Sequence, residues 1–116
     1  MRSFNKIAKA LSDENRLKML KLLTEKDICV CEMTELFPIS HSQVSRSLHI
    51  LYEAGFLKRW HMGKCVVYMA DRVDSNAYCQ KMLNLIADSF NEDESIQKLR
   101  EKLQQVIERK VREKSR

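Results

Sequence analysis

Glycine and proline are nearly absent from this chain: Gly55, Gly63 and Pro38 are all it holds in 116 residues. A phosphate-cradling loop needs two or three glycines within one turn, so the Gly-rich loops of nucleotide enzymes are excluded. The same scarcity argues against a loop-rich all-β fold and favours helices joined by few turns. Long apolar runs are missing too. The longest, Cys65 to Ala70, is far too short to cross a bilayer, and Met1 to Leu11 mixes Arg2, Lys6 and Lys9 among its apolar residues, so no secretory leader is expected. Cysteine is sparse and irregularly spaced: Cys29, Cys31, Cys65 and Cys79 make no disulfide scaffold. The expectation is a cytoplasmic protein with reduced thiols and no membrane partner.

What remains is a composition that is 44% hydrophobic and 32% charged, which is globular rather than disordered, at a length that suits one domain with a thin core. Lysine and arginine exceed aspartate and glutamate, 21 against 16, for a net charge of +5. The excess sits in the middle. From Ser40 to Lys64 the only acid is Glu53, against Arg46, Lys58, Arg59 and Lys64, with His41, His49 and His61 between them. The last third alternates in sign and nearly cancels.

Periodicity places the elements. Phe4, Ile7, Ala8 and Leu11 recur at helical spacing, and Ser12 or Asp13 can cap a second helix holding Leu17, Leu20, Leu22 and Leu23. A third short helix is expected over Ile28 to Leu36, stopped at Phe37-Pro38. Ser40 with Gln43 reads as a capping box, opening a helix with Val44, Leu48 and Leu51 inward and Gly55 just past its end. The period then changes to two. Phe56 to His61 and Cys65 to Ala70 are strand-like runs around Met62-Gly63-Lys64, a short hairpin. Asp74 or Ser75 can cap a helix bearing Tyr78, Met82, Leu85, Ile86 and Phe90, and a last helix carries Ile96, Leu99, Leu103, Val106 and Ile107 on one side. The expected fold is mainly α with a small β-hairpin, a winged helix–turn–helix over residues 1–91 followed by an amphipathic helix and basic tail over 92–116.

A capped helix after a short helix and a tight turn fits the DNA major groove, and the outward positions here carry groups that match base edges and phosphates. These are His41, Ser42, Gln43, Ser45, Arg46 and His49, with Ser40 at the helix N-terminus. Glutamine can pair with adenine and arginine with guanine, while the serines suit phosphate oxygens. In the hairpin, alternation turns out Arg59, His61 and Lys64 toward an adjacent groove or backbone. The tail cations Arg109, Lys110, Arg112, Lys114 and Arg116 are either a solvated surface or a second approach to DNA.

Leu48 to Leu57 (LHILYEAGFL), the preceding Val44-Ser45-Arg46, the wing ending Val67-Tyr68 and the early Ala10 to Arg16 (ALSDENR) together resemble the arsenical-resistance repressor (ArsR/SmtB) family over roughly residues 4 to 90. The resemblance implies a homodimeric repressor that sits on double-stranded operator DNA and leaves when a metal or metalloid inducer binds, with no permanently bound cofactor. It implies a dimer interface from the first and fifth helices, here Phe4 to Leu11 and Ser75 to Phe90.

Cys29-Val30-Cys31 offers two soft ligands with no histidine or aspartate beside them, which suits a thiophilic ion better than zinc. The pattern is similar to the family's arsenic-sensing branch, many of whose members add a third cysteine where this chain has Thr34. Cys65 or Cys79 is then the candidate third ligand, although each also suits packing. The family's fifth-helix zinc site is not matched, because Asp74 is followed by Asn76, Ala87 and Phe90. The cadmium and lead sensors draw cysteines from an N-terminal extension, and Met1 to Ile28 has none. As(III) or Sb(III) is the expected inducer, with a Cd/Pb-sensing or thiol-redox repressor as the alternatives. On a regular helix Cys29 and Cys31 would point about 200° apart, so one ion could grip both only by distorting the helix. That strain is the expected route to DNA release, and the same divergence disfavours a direct disulfide. No loop or pairing around any cysteine suggests an enzyme.

Overall fold

The structure, a computed structural model, describes residues 1–114; Ser115 and Arg116, the last of the tail cations, lie outside them. Six helices and three strands follow in order: α1 (Arg2–Ala10), α2 (Glu14–Leu23), β1 (Ile28–Cys29), α3 (Val30–Thr34), α4 (His41–Glu53), β2 (Leu57–Met62), β3 (Cys65–Ala70), α5 (Ala77–Asp88) and α6 (Glu94–Lys114). The mainly helical reading with a β-hairpin wing holds, and the helix–turn–helix is α3 and α4.

Local chemistry accounts for the ends. The Asp13 carboxylate accepts the Arg16 N–H at 3.0 Å, capping α2. At α4, Ser40 Oγ accepts the Gln43 N–H at 3.2 Å while Gln43 Oε1 accepts the Ser40 N–H at 2.9 Å, the reciprocal box its sequence predicts. Gly55 ends that helix with φ +102°, a conformation other residues adopt only under strain. The cap of α5 falls later than Asp74 or Ser75. Asn76 Oδ1 accepts the Cys79 N–H at 2.9 Å, because Asp71 gathers the Asp74 N–H and the Ser75 hydroxyl into a turn ahead of the helix.

The sheet departs from the two-stranded hairpin. A third strand, β1, joins it in the order β1-β3-β2, all antiparallel, with Ile28 opposite Tyr68 and Cys29 opposite Val67. Residues 28 and 29 are therefore strand, not the start of a helix over Ile28 to Leu36. Ile28 is buried and Cys29 is extended (ψ 156°), so strand pairing gives this stretch its backbone partners and α3 shrinks to five residues. Trp60 also lies opposite Val67, which places Cys29, Val67 and Trp60 in one row on one face of the sheet.

The other face meets the core. Met19, Leu20, Leu22, Met33, Val44, Leu48, Leu51, Phe56 and Leu83 are buried around it, and each large side chain there stabilises by about 1.5–3 kcal/mol. One charged residue is fully buried with them. Lys21 of α2 donates to the carbonyls of Ile86 (3.2 Å) and Ala87 (2.8 Å) at the end of α5 and to Asn91 Oδ1 (2.9 Å), and it pairs with Glu25 at 3.5 Å. Its ammonium thus satisfies the Ala87 carbonyl, which the helix end would otherwise leave open, and adds a second donor to the Ile86 carbonyl, which also accepts the Ser89 N–H at 3.1 Å.

The last helix folds back on the same body. Ile96, Leu103 and Val106 are buried, Arg100 is ion-paired with Glu25 of the α2 end, and Arg109 is 2.6 Å from the Glu35 carboxylate at the end of α3. Its final turns lie over the sheet face that carries Cys29, Val67 and Trp60.

Candidate functional site

On α4 the inward positions are Val44, Leu48 and Leu51, all fully buried, which turns His41, Ser42, Gln43, Arg46 and His49 to solvent and leaves Ser45 half-buried. Ser40, at the helix N-terminus, is exposed. The structure gives several of these side chains partners. Gln43 Oε1 is taken by the capping box, His41 Nδ1 is 3.5 Å from Thr34 Oγ1, and His49 Nε2 is 3.7 Å from Glu53. Arg59 does not project freely from the wing. Its guanidinium lies 4.0 Å over the Tyr52 ring and donates to the Tyr68 hydroxyl at 3.4 Å, which fixes it against α4. His61 and Lys64 are exposed at the wing tip, whereas Lys58 is ion-paired with Asp74 at 2.8 Å and Asp71 at 3.6 Å.

The cysteines divide three to one. Cys29, Cys31 and Cys65 bring their sulfurs within 4.8 Å of one another and form the one group able to hold a metal ion among the described residues. Cys29 Sγ lies 3.0 Å from Cys31 Sγ, and Cys31 Sγ lies 3.7 Å from Cys65 Sγ. Cys79 is elsewhere: it is fully buried, donates to the Ala54 carbonyl at 3.5 Å and packs against Gly55.

The backbone corner explains the cluster. Cys29 ends a strand and Cys31 is the second residue of a helix, so the helical 100° per residue never separates them. Both sulfurs face the same side before any ion arrives. The expected 200° divergence is therefore wrong, and so is the inference that an ion must unwind the helix to reach both. The objection to a direct disulfide falls with it. Cys65 arrives through the sheet: Cys65 and Val67 share a face by alternation, and Val67 stands opposite Cys29.

A fourth group completes the site. Lys110 Nζ lies 3.1 Å from Cys31 Sγ and 3.7 Å from Cys29 Sγ. Burial works against ionisation of Cys31, but hydrogen bonds from Cys29, Lys110 and Cys65 outweigh it and hold its pKa below the ordinary thiol value. Cys29 moves the other way: burial and the neighbouring Cys31 sulfur push it up to about 12. The pair thus presents a thiolate-prone sulfur at Cys31 beside a protonated one at Cys29. Beside them opens a cleft of about 610 Å³ between sheet and α6, lined by Met62, Val67, Ile107 and Val111 with Glu32 and Glu113 at its polar side. Lys110 was legible only indirectly, as the residue seven beyond Leu103 that continues the apolar stripe of α6.

Comparison with known proteins decides the family. Residues 13–59 match the bacterial regulatory protein, arsR family, model. The cadmium resistance transcriptional regulatory protein CadC of Listeria innocua is 33% identical over 89 residues, which cover 76% of this chain and 69% of that protein. The chain belongs to the arsR family. Another relative in that family, the arsenic resistance transcriptional regulator ArsR1 of Pseudomonas putida, is 38% identical over 63 residues, covering 53% of this chain and 49% of that one. The chain spans about half to two thirds of the length of the curated relatives it matches. Among solved structures, the homodimeric winged helix–turn–helix DNA-binding domain Mb0332 of Mycobacterium bovis superposes with a TM-score of 0.63 at 18% identity, over 80% of this chain and 82% of that one, and shares its fold. These relatives are transcriptional regulators, and no helix among the described residues is long and apolar enough to cross a membrane.

Proposed function

We propose that this arsR-family chain is a cytoplasmic transcriptional repressor that binds operator DNA as a homodimer and releases it when As(III) or Sb(III) is captured by Cys29, Cys31 and Cys65. The observation that carries the reading is the preassembled sulfur triad, drawn from the start of α3 and the first residue of the wing strand β3. Thiolates at about 2.3 Å from a common ion stand roughly 3.5–3.8 Å apart; the 3.7 Å between Cys31 and Cys65 matches that spacing, and the 3.0 Å between Cys29 and Cys31 needs only a small opening. Three soft donors satisfy a trivalent metalloid, whereas structural zinc takes four ligands.

The site lies where it can act on DNA binding. Cys29 and Cys31 belong to the support beneath α4, and Cys65 belongs to the wing. An ion held by all three fixes the wing relative to the helix–turn–helix. Release then requires only that the fixed arrangement differ from the DNA-bound one, and a 100-fold preference of the ion for it shifts the equilibrium by about 2.7 kcal/mol. His41, Ser42, Gln43, Ser45, Arg46 and His49 are the proposed base- and phosphate-contacting groups of α4, with Ser40 at its start. His61 and Lys64 serve the wing tip, and Arg59 acts mainly by bracing the wing against α4. Exposed Phe4, Tyr78 and Leu85 on α1 and α5 supply an apolar face for the second protomer.

Two observations favour neighbouring readings. Similarity to CadC supports a divalent soft ion, and the 3.0 Å approach of Cys29 and Cys31 supports oxidation to a disulfide. One titration separates them: operator binding followed against arsenite, antimonite, cadmium, zinc and peroxide. Arsenite and antimonite are expected to release DNA at the lowest concentrations, and Cys29→Ser or Cys65→Ser to abolish that response while leaving DNA binding intact. Release by cadmium or peroxide alone overturns the metalloid assignment.

A further inference from the structure

We infer that Lys110 is a selectivity residue, through which the sulfur triad senses the charge of the complex it forms. The inference rests on the reading of Cys29, Cys31 and Cys65 as the ion site.

The ammonium is held at the sulfurs by packing. Its helix is fastened one residue earlier by Arg109 to Glu35 and further back by buried Leu103 and Val106, and Ile107 and Val111 line the same cleft. The other charges facing the cleft are Asp27, Glu32, Glu113 and Lys114. Of these only Glu32 is bonded to a ligand residue, accepting the Cys29 N–H at 3.0 Å. Lys110 is thus the one cation within hydrogen-bond reach of the sulfurs among the described residues.

The charge balance differs between ions. Arsenous acid reacts with three thiols to form three As–S bonds; three As–O bonds break, the hydroxyls leave as three waters, and the product is neutral. A divalent ion such as Cd²⁺ displaces three protons and forms a complex of charge −1. An ammonium some 4 Å away attracts the second product and gains nothing from the first. In partly screened surroundings that attraction corresponds to roughly tenfold or more in affinity.

The test titrates wild-type, Lys110→Met and Lys110→Arg protein anaerobically with arsenite and with cadmium, reading sulfur-to-ion charge-transfer absorption in the ultraviolet. Lys110→Met is expected to weaken cadmium binding about tenfold or more and to leave arsenite binding unchanged or tighter, while Lys110→Arg retains the wild-type ratio. Equal losses for both ions, or no change for either, overturn the role of Lys110 while the sulfur site stands. Absence of the absorption band with both ions in all three proteins overturns the sulfur site and the inference together.

Discussion

At the scale of the residue, Cys31 and Cys29 are two thiols of opposite character held 3.0 Å apart. Only the thiolate is nucleophilic, and a free cysteine ionises near pH 8.5. Because the Cys31 pKa is lowered and that of Cys29 raised to about 12, alkylation by iodoacetamide should modify Cys31 first. Its rate should rise with pH through a midpoint below that of a free thiol, and Cys29 should stay unlabelled until strongly alkaline pH. Peptide mass mapping across a pH series checks this; preferential labelling of Cys29 contradicts it. The pairing of two cysteines around Val30 was legible in the sequence, and so was their suitability for a soft ion. Their mutual orientation was not, because it hangs on one backbone angle, the extended ψ of Cys29, and a helical assumption reverses it. Cys65 was a candidate on composition alone; its place follows from a strand pairing between residues nearly forty positions apart.

Among the elements, those with chemical punctuation were the legible ones. Ser40, Gln43 and Gly55 mark both ends of α4, and the run around Gly63 marks the wing. A two-residue strand has no such marks, so β1 stayed hidden behind the short helix that follows it. Lys21 was hidden for another reason: a lysine among Leu20, Leu22 and Leu23 reads as the exposed edge of a helix, yet it is buried against the end of α5. Removing its ammonium leaves the Ala87 carbonyl without its donor, while the Ile86 carbonyl keeps the Ser89 N–H and Asn91 Oδ1 keeps Arg100. Lys21→Met should therefore lower stability by about 2–3 kcal/mol, seen as a lower urea midpoint at unchanged slope. A midpoint equal to that of wild type would show that water replaces the ammonium at no cost.

The molecule as a whole follows the order its sequence suggests, with α6 as the element whose role lay furthest from reach. Its mixed charges read as a solvated surface, whereas Arg100 and Arg109 find carboxylates just past the ends of α2 and α3 and Lys110 finds sulfur. Such pairings join residues some 75 positions apart in the chain and leave no local pattern. At this scale the remaining question is assembly. Phe4 meets Tyr78 edge-on, with ring centroids 5.4 Å apart, yet both stay about half exposed. Leu85→Glu on the same face should convert a dimer into monomers in sedimentation velocity and weaken operator binding, since two half-sites are then no longer held together. A Leu85→Glu protein that sediments like wild type would place the second protomer elsewhere.

The chain has a single tryptophan, Trp60, and the sheet puts it across Val67 from Cys29. A natural fluorophore thus sits two strands from Cys29 and on the strand beside Cys65, in the segment that would sway with the wing. Emission from the unlabelled protein can therefore time the arrival of an ion and the motion of the hairpin in one stopped-flow trace, without a dye that would consume the very thiols under study.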